Sequence, residues 1–481
     1  MERLTKVGQV KPKNSLEVKT SKIGLGFEKL DRDVFDPEKA YDKVFEIGVK
    51  WARIQSGWQR TETEKGVYNF DWIESIIDNF LKRGITPWVC LCYGNSLYDD
   101  MAKKIFGATG CAPVRTEEQK IAWHNYVTAF VEKFKDRIEY YEVWNEPEHT
   151  WKHGQNATEY GEFVIATSKA VKAVYPEAKV IGGVICQRQL AFINEAFRTG
   201  MGDYIDFLSF HEYGAEETKE FEKVSALRGL INNYNPKIKL IQGESGSQSK
   251  SSGNGAVGLG AWTEKKQAKQ LARHTISDLM CDVHFMSYFS CVDMIEALDG
   301  TVDDKASYMD YAYFGVLGAD FDEDGKSCGS YSPKPSYYAL QNIASIFAGE
   351  HELYDFPAIF RPDESYRYFG YDLRRNQIIT GGFKKEHGEA FVYWYPTDIM
   401  TTGDFESTIS MQIYSKYDKV RLVDVMDGSI YTLPEHTKPR AEYGYRNLPI
   451  LDRDDFGMYH IYNLPIKDTP LILMFGDFID E

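Results

Sequence analysis

From residue 22 to about residue 348, short apolar runs alternate with longer amphipathic stretches. The runs at 22–27 (KIGLGF), 51–56 (WARIQS), 86–92 (TPWVCLC), 138–145, 179–185 (KVIGGVI), 206–211 (DFLSFH), 238–243 (IKLIQG) and 284–290 (HFMSYFS) have the length and residue types of strands. Between them the apolar positions recur at helical spacing. In 70–83 they are Phe70, Ile73, Ile76, Ile77, Phe80 and Leu81. Further helices are expected at 116–135, 158–174, 189–199, 216–233 and 263–280. Asp36-Pro37 opens one that runs to Ile47, and Pro335 opens a closing helix at 334–348. Such alternation predicts a parallel α/β architecture. A doubly wound sheet competes with a closed (β/α)8 TIM barrel, and eight repeats favour the barrel.

After about residue 350 the pattern changes. Strand-like runs at 367–373, 376–384, 389–395, 406–413, 418–425, 457–463 and 470–476 follow one another without long helices. This predicts a C-terminal antiparallel β-sandwich. The expected division is a barrel with an N-terminal extension over 1–349 and an accessory sandwich over 350–481.

Composition narrows the partners. A formal net charge of −16 argues against nucleic acid and anionic membrane surfaces. Residues 1–20 lack the apolar segment of a signal peptide, and no apolar run is long enough to span a membrane. A soluble protein is expected, cytoplasmic, or periplasmic or secreted if a leader has been removed; the sequence leaves the oligomeric state open. The seven cysteines are sparsely spaced and suggest no disulfide framework or zinc site. Asp320, Asp322 and Asp324 with Gly325 mimic the start of a calcium loop, but Tyr331 stands where the closing Glu is needed, so a solvated turn is expected. No metal or organic cofactor is called for.

The chemistry gathers at two strand ends. Tyr141–Thr150 reads YEVWNEPEHT; Pro147 stops the strand, which leaves Asn145 and Glu146 at its C-terminal end. Gln242–Gly246 reads QGESG and places Glu244 at the end of the seventh strand, before a Gly/Ser-rich loop. A barrel brings these ends to opposite sides of one mouth, and two facing carboxyls are what glycoside hydrolysis requires. The string Trp144-Asn145-Glu146-Pro147, with a second Glu ninety-eight residues on, resembles the retaining glycoside hydrolases of clan A, closest in style to family 39.

That resemblance implies Glu146 as acid/base and Glu244 as nucleophile. It implies an exo-acting enzyme for oligosaccharides or glycosides: a β-xylosidase, an α-L-arabinofuranosidase or a relative. Glu146 then has to keep a proton near neutral pH, and Glu244 has to stay ionised. The resemblance also gives Arg53 a place beside the nucleophile, Tyr213 a hydrogen bond to it, His211 a place in the sugar pocket, and Asn145 a contact to the 2-hydroxyl. Parity agrees: Trp51, Arg53 and Gln55 share one strand face, as do Ser209, His211 and Tyr213. Arg53 in an apolar strand needs a partner, and Glu142 is the structural candidate. Trp58, Tyr93, Trp151 and Phe289 stand near strand ends as candidate sugar platforms, with ordinary packing as the competing role. A carbohydrate-binding protein on a degenerate barrel and a transglycosylase are the rival functions.

Overall fold

The computed structural model describes residues 4–152, 154, 156–186, 189–214, 217–298, 300–362, 378–435 and 450–479. The chain begins with β1 (Thr5–Gln9), then β2 (Gly24–Gly26), α1 (Tyr41–Ile47), β3 (Trp51–Gln55), α2 (Trp58–Thr61), α3 (Asp71–Lys82) and β4 (Thr86–Leu91). Next come α4 (Glu117–Phe134), β5 (Tyr140–Val143), α5 (Pro147–Thr150), α6 (Ala157–Val174), β6 (Lys179–Cys186), α7 (Leu190–Phe197) and β7 (Phe207–Glu212). They are followed by α8 (Thr218–Asn232), β8 (Lys239–Ser245), α9 (Glu264–Met280) and β9 (Met286–Tyr288). Strands β2 to β9 close into one parallel barrel, sealed where Leu25 of β2 pairs with Tyr288 of β9.

The strand parity read from sequence sets the barrel interior. Trp51 lies at its floor, stacked on Phe285 at 4.1 Å and packed with Trp88, Ile181, Phe207 and Ile241. Two residues on, Arg53 reaches the middle of the barrel, and Gln55 its mouth. The aromatic floor fills one end of the barrel with apolar volume, so the polar side chains collect at the C-terminal end of the strands.

Between β9 and the closing helix the chain forms β10 (Met294–Ile295), β11 (Tyr311–Ala312), β12 (Leu317–Phe321), β13 (Ser327–Pro333) and then α10 (Pro335–Ile346). The pairs β10–β11 and β12–β13 were not foreseen. Of the Asp-rich segment, Asp320 lies on β12, while Asp322, Asp324 and Gly325 form the turn between β12 and β13. The Asp322 carboxylate accepts hydrogen bonds from the backbone of Asp324 and Lys326, each at 2.9 Å, and Gly325 takes the left-handed conformation with φ of 77°.

The remaining strands are β14 (Glu352–Leu353), β15 (Ala358–Pro362), β16 (Ile379–Lys385), β17 (Gly388–Trp394), β18 (Glu406–Tyr414), β19 (Val420–Asp424), β20 (Ser429–Thr432), β21 (Ile450–Arg453), β22 (Met458–Lys467) and β23 (Leu471–Gly476). The strand expected at 367–373 lies outside the described residues. One sheet runs β1-β20-β19-β23-β17-β16-β14 and the other β15-β18-β22-β21. Phe391, Leu422 and Leu473 of the first pack on Met411, Ile461 and Leu464 of the second, which makes a sandwich. The N-terminal segment, expected as an extension of the barrel, instead contributes β1 to the edge of the larger sheet by pairing with β20. Its five mostly exposed, largely polar residues carry too little apolar signal to announce a strand.

Strand β17 shows how the units join. Phe391 and Tyr393 face the sandwich core, whereas Ala390, Val392 and Trp394 belong to the core continuous with the barrel and α10. The period of two puts alternate side chains on opposite faces, so the larger sheet is a middle layer.

Candidate active site

The decisive local feature is the backbone after β5. Trp144 and Glu146 adopt left-handed conformations with φ of 69° and 46°, and Val184 on neighbouring β6 does so with φ of 48°. Such conformations in residues other than glycine cost energy and are held by their surroundings. Here Trp144 is enclosed by Tyr93, Trp123, Trp151 and Phe163. The Glu146 amide donates to the Val184 carbonyl at 2.9 Å, and Pro147 opens α5 directly after it. The twist brings the Glu146 carboxyl over the barrel mouth.

Opposite it stands Glu244, near the end of β8. One oxygen of each carboxyl and a ring nitrogen of His211 all lie within 4.8 Å of one another. His211 Nδ1 is 2.8 Å from Glu146 Oε1 and 3.7 Å from Glu244 Oε2. The tautomer decides whether this nitrogen donates to an ionised Glu146 or accepts from a protonated one, so the pair can hold one proton in either arrangement. Burial disfavours the His211 cation, but Glu244 and Glu146 outweigh it and raise its pKa above the usual imidazole value. Gly243 is needed for this approach, since a β-carbon there would run into Ser209 and the His211 ring. The set of two carboxyls and an imidazole would suit a divalent cation in its donor types, but these donors already answer one another and cationic Arg53.

Glu244 is the most constrained group in the site. The Tyr213 hydroxyl donates to its Oε2 at 2.6 Å, and Arg53 Nη1 donates to its Oε1. Burial alone would raise its pKa. His211, Arg53, the Tyr213 hydrogen bond and Lys29 together outweigh that and hold it below the usual carboxylate range.

Arg53 is fully buried and serves several acceptors. Its Nε donates to Glu142 Oε1 at 2.8 Å, Nη2 to Asn145 Oδ1 at 2.7 Å, and Nη1 to Glu28 Oε1 at 3.3 Å as well as to Glu244. It pairs with Glu142 and also lies beside Glu244. A buried guanidinium with this many acceptors is compensated, and its loss would strand the carboxylates around it.

A cavity of about 350 Å³ opens above these groups. Of the residues expected at the site, Glu146, Glu244, Asn145, Tyr213, Tyr93 and Phe289 line it. Arg53 and His211 sit beneath it, so His211 bridges the carboxyls and does not form the pocket wall. Trp58 and Trp151 do not reach the cavity. Trp58 is fully buried, stacks on Tyr98 at 5.4 Å and donates to Glu62 at 2.5 Å. Trp151 packs on Trp144 and Tyr160 and donates to Glu159 at 2.8 Å. Both are core residues; an aromatic near a strand end has the same sequence signature whichever way it turns.

Several wall residues carried no sequence signal. Glu28 and Lys29 follow β2, and Glu296 follows β10. Glu28 is buried against Gly26, whose missing β-carbon leaves room for its carboxyl. Burial, with Glu244 nearby and Arg53 opposing, pushes its pKa up to about 8. Lys29 donates to the Ile295 carbonyl at 3.2 Å and pairs with Glu296 at 3.4 Å, which pins β10 to the rim. Glu296, Ala297, Ser307, Asp310 and Phe314 all line the cavity, so the segment between β9 and α10 forms much of its wall. Charge runs and turn residues in that segment gave no hint of this.

Residues 45–237 match the family described as glycosyl hydrolases family 39. A stretch of 171 residues is 30% identical to a beta-xylosidase from Geobacillus stearothermophilus, covering 33% of this chain and 33% of that protein. The chain resembles the family 39 glycoside hydrolases. Among solved structures, a family 39 glycoside hydrolase from the gut symbiont Bacteroides cellulosilyticus WH2 aligns with a TM-score of 0.64 at 18% identity, covering 94% of this chain and 80% of that one. A monomeric beta-xylosidase from Caulobacter crescentus CB15 aligns with a TM-score of 0.59 at 15% identity, covering 99% and 98%. At these identities the structural likeness establishes the shared barrel-and-sandwich fold. All seven cysteines are free, and among the described residues no helix is long and apolar enough to cross a membrane.

Proposed function

We propose that the protein is a retaining glycosidase that releases a terminal sugar from oligosaccharides or simple glycosides. The observation that carries this reading is the pair of opposed carboxyls, Glu146 and Glu244, whose oxygens approach within 4.8 Å across the barrel mouth. Retaining enzymes need about 5–5.5 Å between the two carboxyls, whereas inverting enzymes need about 6.5–9.5 Å to admit water. The family likeness supports the same class.

In the first step Glu146 gives its proton to the glycosidic oxygen while Glu244 attacks the anomeric carbon. The C–O bond to the leaving group breaks and a glycosyl ester forms on Glu244. In the second step Glu146, now ionised, takes a proton from water, which attacks the same carbon and frees Glu244. Arg53 and Tyr213 keep Glu244 ionised until it bonds. His211 orients Glu146 and can hold the mobile proton. Asn145, fixed by Arg53, faces the cavity where the 2-hydroxyl of the reacting sugar would lie. A cavity of about 350 Å³ is at the small end of ligand sites, which span about 300–1,000 Å³, and suits a terminal sugar better than an internal chain segment.

Because the Geobacillus relative is a beta-xylosidase, aryl β-xylosides head the panel, followed by arabinofuranosides and other pyranosides. The test is hydrolysis of this panel by the wild-type protein and by Glu244→Gln. Cleavage of one glycoside, with a loss of about 10⁴-fold or more in the variant, is the expected result. Undiminished cleavage by Glu244→Gln would remove the nucleophile assignment. Binding of oligosaccharides without any cleavage would favour the carbohydrate-binding alternative.

A further inference from the structure

Helix α9 follows the loop after β8, and from Gln267 to Leu279 it is buried. An ordinary barrel helix shows solvent one polar face. Here two sets of polar side chains are engaged with different parts of the molecule. Lys269 and Arg273, four residues apart and so on one face, reach into the sandwich. Lys269 Nζ pairs with Asp468 at 2.6 Å, with both side chains buried, and donates to the Gly403 carbonyl at 2.5 Å. Arg273 donates from Nε to the Asp468 carbonyl at 2.6 Å and from Nη1 to the Thr397 carbonyl at 2.9 Å.

The second set, Gln267 and Gln270, turns towards the site. Gln270 is fully buried, and its amide nitrogen donates to the Gly214 carbonyl at 3.1 Å and the Gly246 carbonyl at 3.4 Å. Gly214 follows Tyr213, and Gly246 lies two residues beyond Glu244. One side-chain amide therefore bridges the two backbone segments whose side chains meet in the Tyr213–Glu244 hydrogen bond. One turn earlier, Gln267 donates to the Ser247 carbonyl at 3.1 Å and the Phe314 carbonyl at 3.0 Å, which ties the same loop to a wall residue of the cavity.

We infer that Gln270 is a positioning residue that sets the Tyr213–Glu244 hydrogen bond, and that the sandwich holds it in place by clamping α9 through Lys269 and Arg273 onto Asp468. The C-terminal domain then acts on the reaction without touching substrate. The inference rests on the reading of Glu244 as nucleophile for its kinetic consequence; its structural consequence is independent of that reading.

The test uses the full chain with Gln270→Met, which keeps the length of the side chain and removes its donor. A crystal structure should show the Tyr213 hydroxyl displaced from Glu244 beyond hydrogen-bond reach. On the glycoside cleaved by the wild type, kcat should fall about ten- to a hundredfold, as expected for a misplaced reacting group, with KM within about twofold. Loss of Tyr213 donation favours the protonated carboxyl, so the acidic limb of kcat/KM should move to higher pH. Asp468→Asn, on the sandwich side, should move kcat and the acidic limb in the same directions by a smaller factor, and it serves if Gln270→Met does not fold. An unchanged Tyr213–Glu244 bond, or an unchanged acidic limb beside a lowered melting temperature, would reduce Gln270 to a stabilising residue and overturn the inference. Glu244→Gln run in parallel separates the two failures, because full activity there sinks the functional reading whatever Gln270 does.

Discussion

At the scale of single residues, the site is a chain of compensated charges. Arg53 joins Glu28, Glu142 and Glu244; Tyr213 and His211 complete the shell around Glu244. Hydrogen bonds to charged groups contribute about 1.5–3 kcal/mol, so Tyr213→Phe should lower kcat/KM about ten- to a hundredfold. With the donor gone, the Glu244 pKa rises and the acidic limb of the pH–rate profile should move to higher pH. A profile unchanged in Tyr213→Phe would contradict the role given to this hydroxyl. Arg53, Glu142, His211 and Glu244 were legible because each lies on a strand whose parity fixes its direction, and Tyr213 because it carries the parity of β7 one residue further. A lone Arg among apolar neighbours also demands a partner. Glu28 was not legible. It follows a three-residue strand, and what makes it notable, its closeness to Arg53 and Glu244, joins positions far apart in sequence.

At the scale of elements, the loops decide the shape of the pocket. The loop at 245–260, which follows β8, contributes Gly255 and Ala256 to the cavity. The loop at 95–113, which follows β4, lies one layer back. Phe106 stacks on Tyr308 at 4.2 Å, and its amide donates to the Gly300 carbonyl at 2.9 Å, bracing the segment that forms the wall. The 245–260 loop is held from inside. Gln248 Nε2 donates to the Asn254 carbonyl at 2.6 Å, and its Oε1 accepts from the Tyr313 amide at 2.8 Å. Trp262 donates to the Val257 carbonyl at 2.7 Å. These hydrogen bonds tie the loop to itself and to the Tyr313 backbone, so it forms a braced part of the cavity wall. Gln248→Ala should raise KM severalfold with little change in kcat, the pattern of lost uniform binding, and lower the melting temperature through the unpaired Tyr313 amide. Steady-state kinetics with a thermal melt measures both; an unchanged KM would show that the wall does not depend on Gln248. Trp58 and Trp151 belong to this scale too, since their burial serves the packing of α2 and α6 against the barrel.

At the scale of the whole molecule, barrel and sandwich share one continuous core and a set of buried titratable groups. The barrel was legible because eight strand–helix repeats each carry their own periodicity; β1, β20 and β21 were not, being short and partly polar. Burial raises the pKa of Glu28 and of Glu148 to about 8 and of Asp278 to about 6, while it lowers those of His274, His284 and His351 to about 4. Raised carboxyls contribute stability that is full below their ordinary values and is lost as pH climbs through 6 to 8. Lowered imidazoles contribute stability that is present above 6.5 and is lost as pH falls towards 4. The melting temperature should therefore peak at mildly acidic to neutral pH, and Glu28→Gln should flatten its alkaline decline; an identical decline in the variant would remove Glu28 from that account. The proposed covalent bond between Glu244 and the sugar can be trapped directly. The protein is incubated with a 2-deoxy-2-fluoro glycoside of the sugar it hydrolyses, carrying a good leaving group, then digested and mapped by mass spectrometry. The sugar is expected on the peptide that contains Glu244 and on no other. Turnover of the substrate with no labelled peptide, or with the label on a different carboxyl, would contradict this expectation.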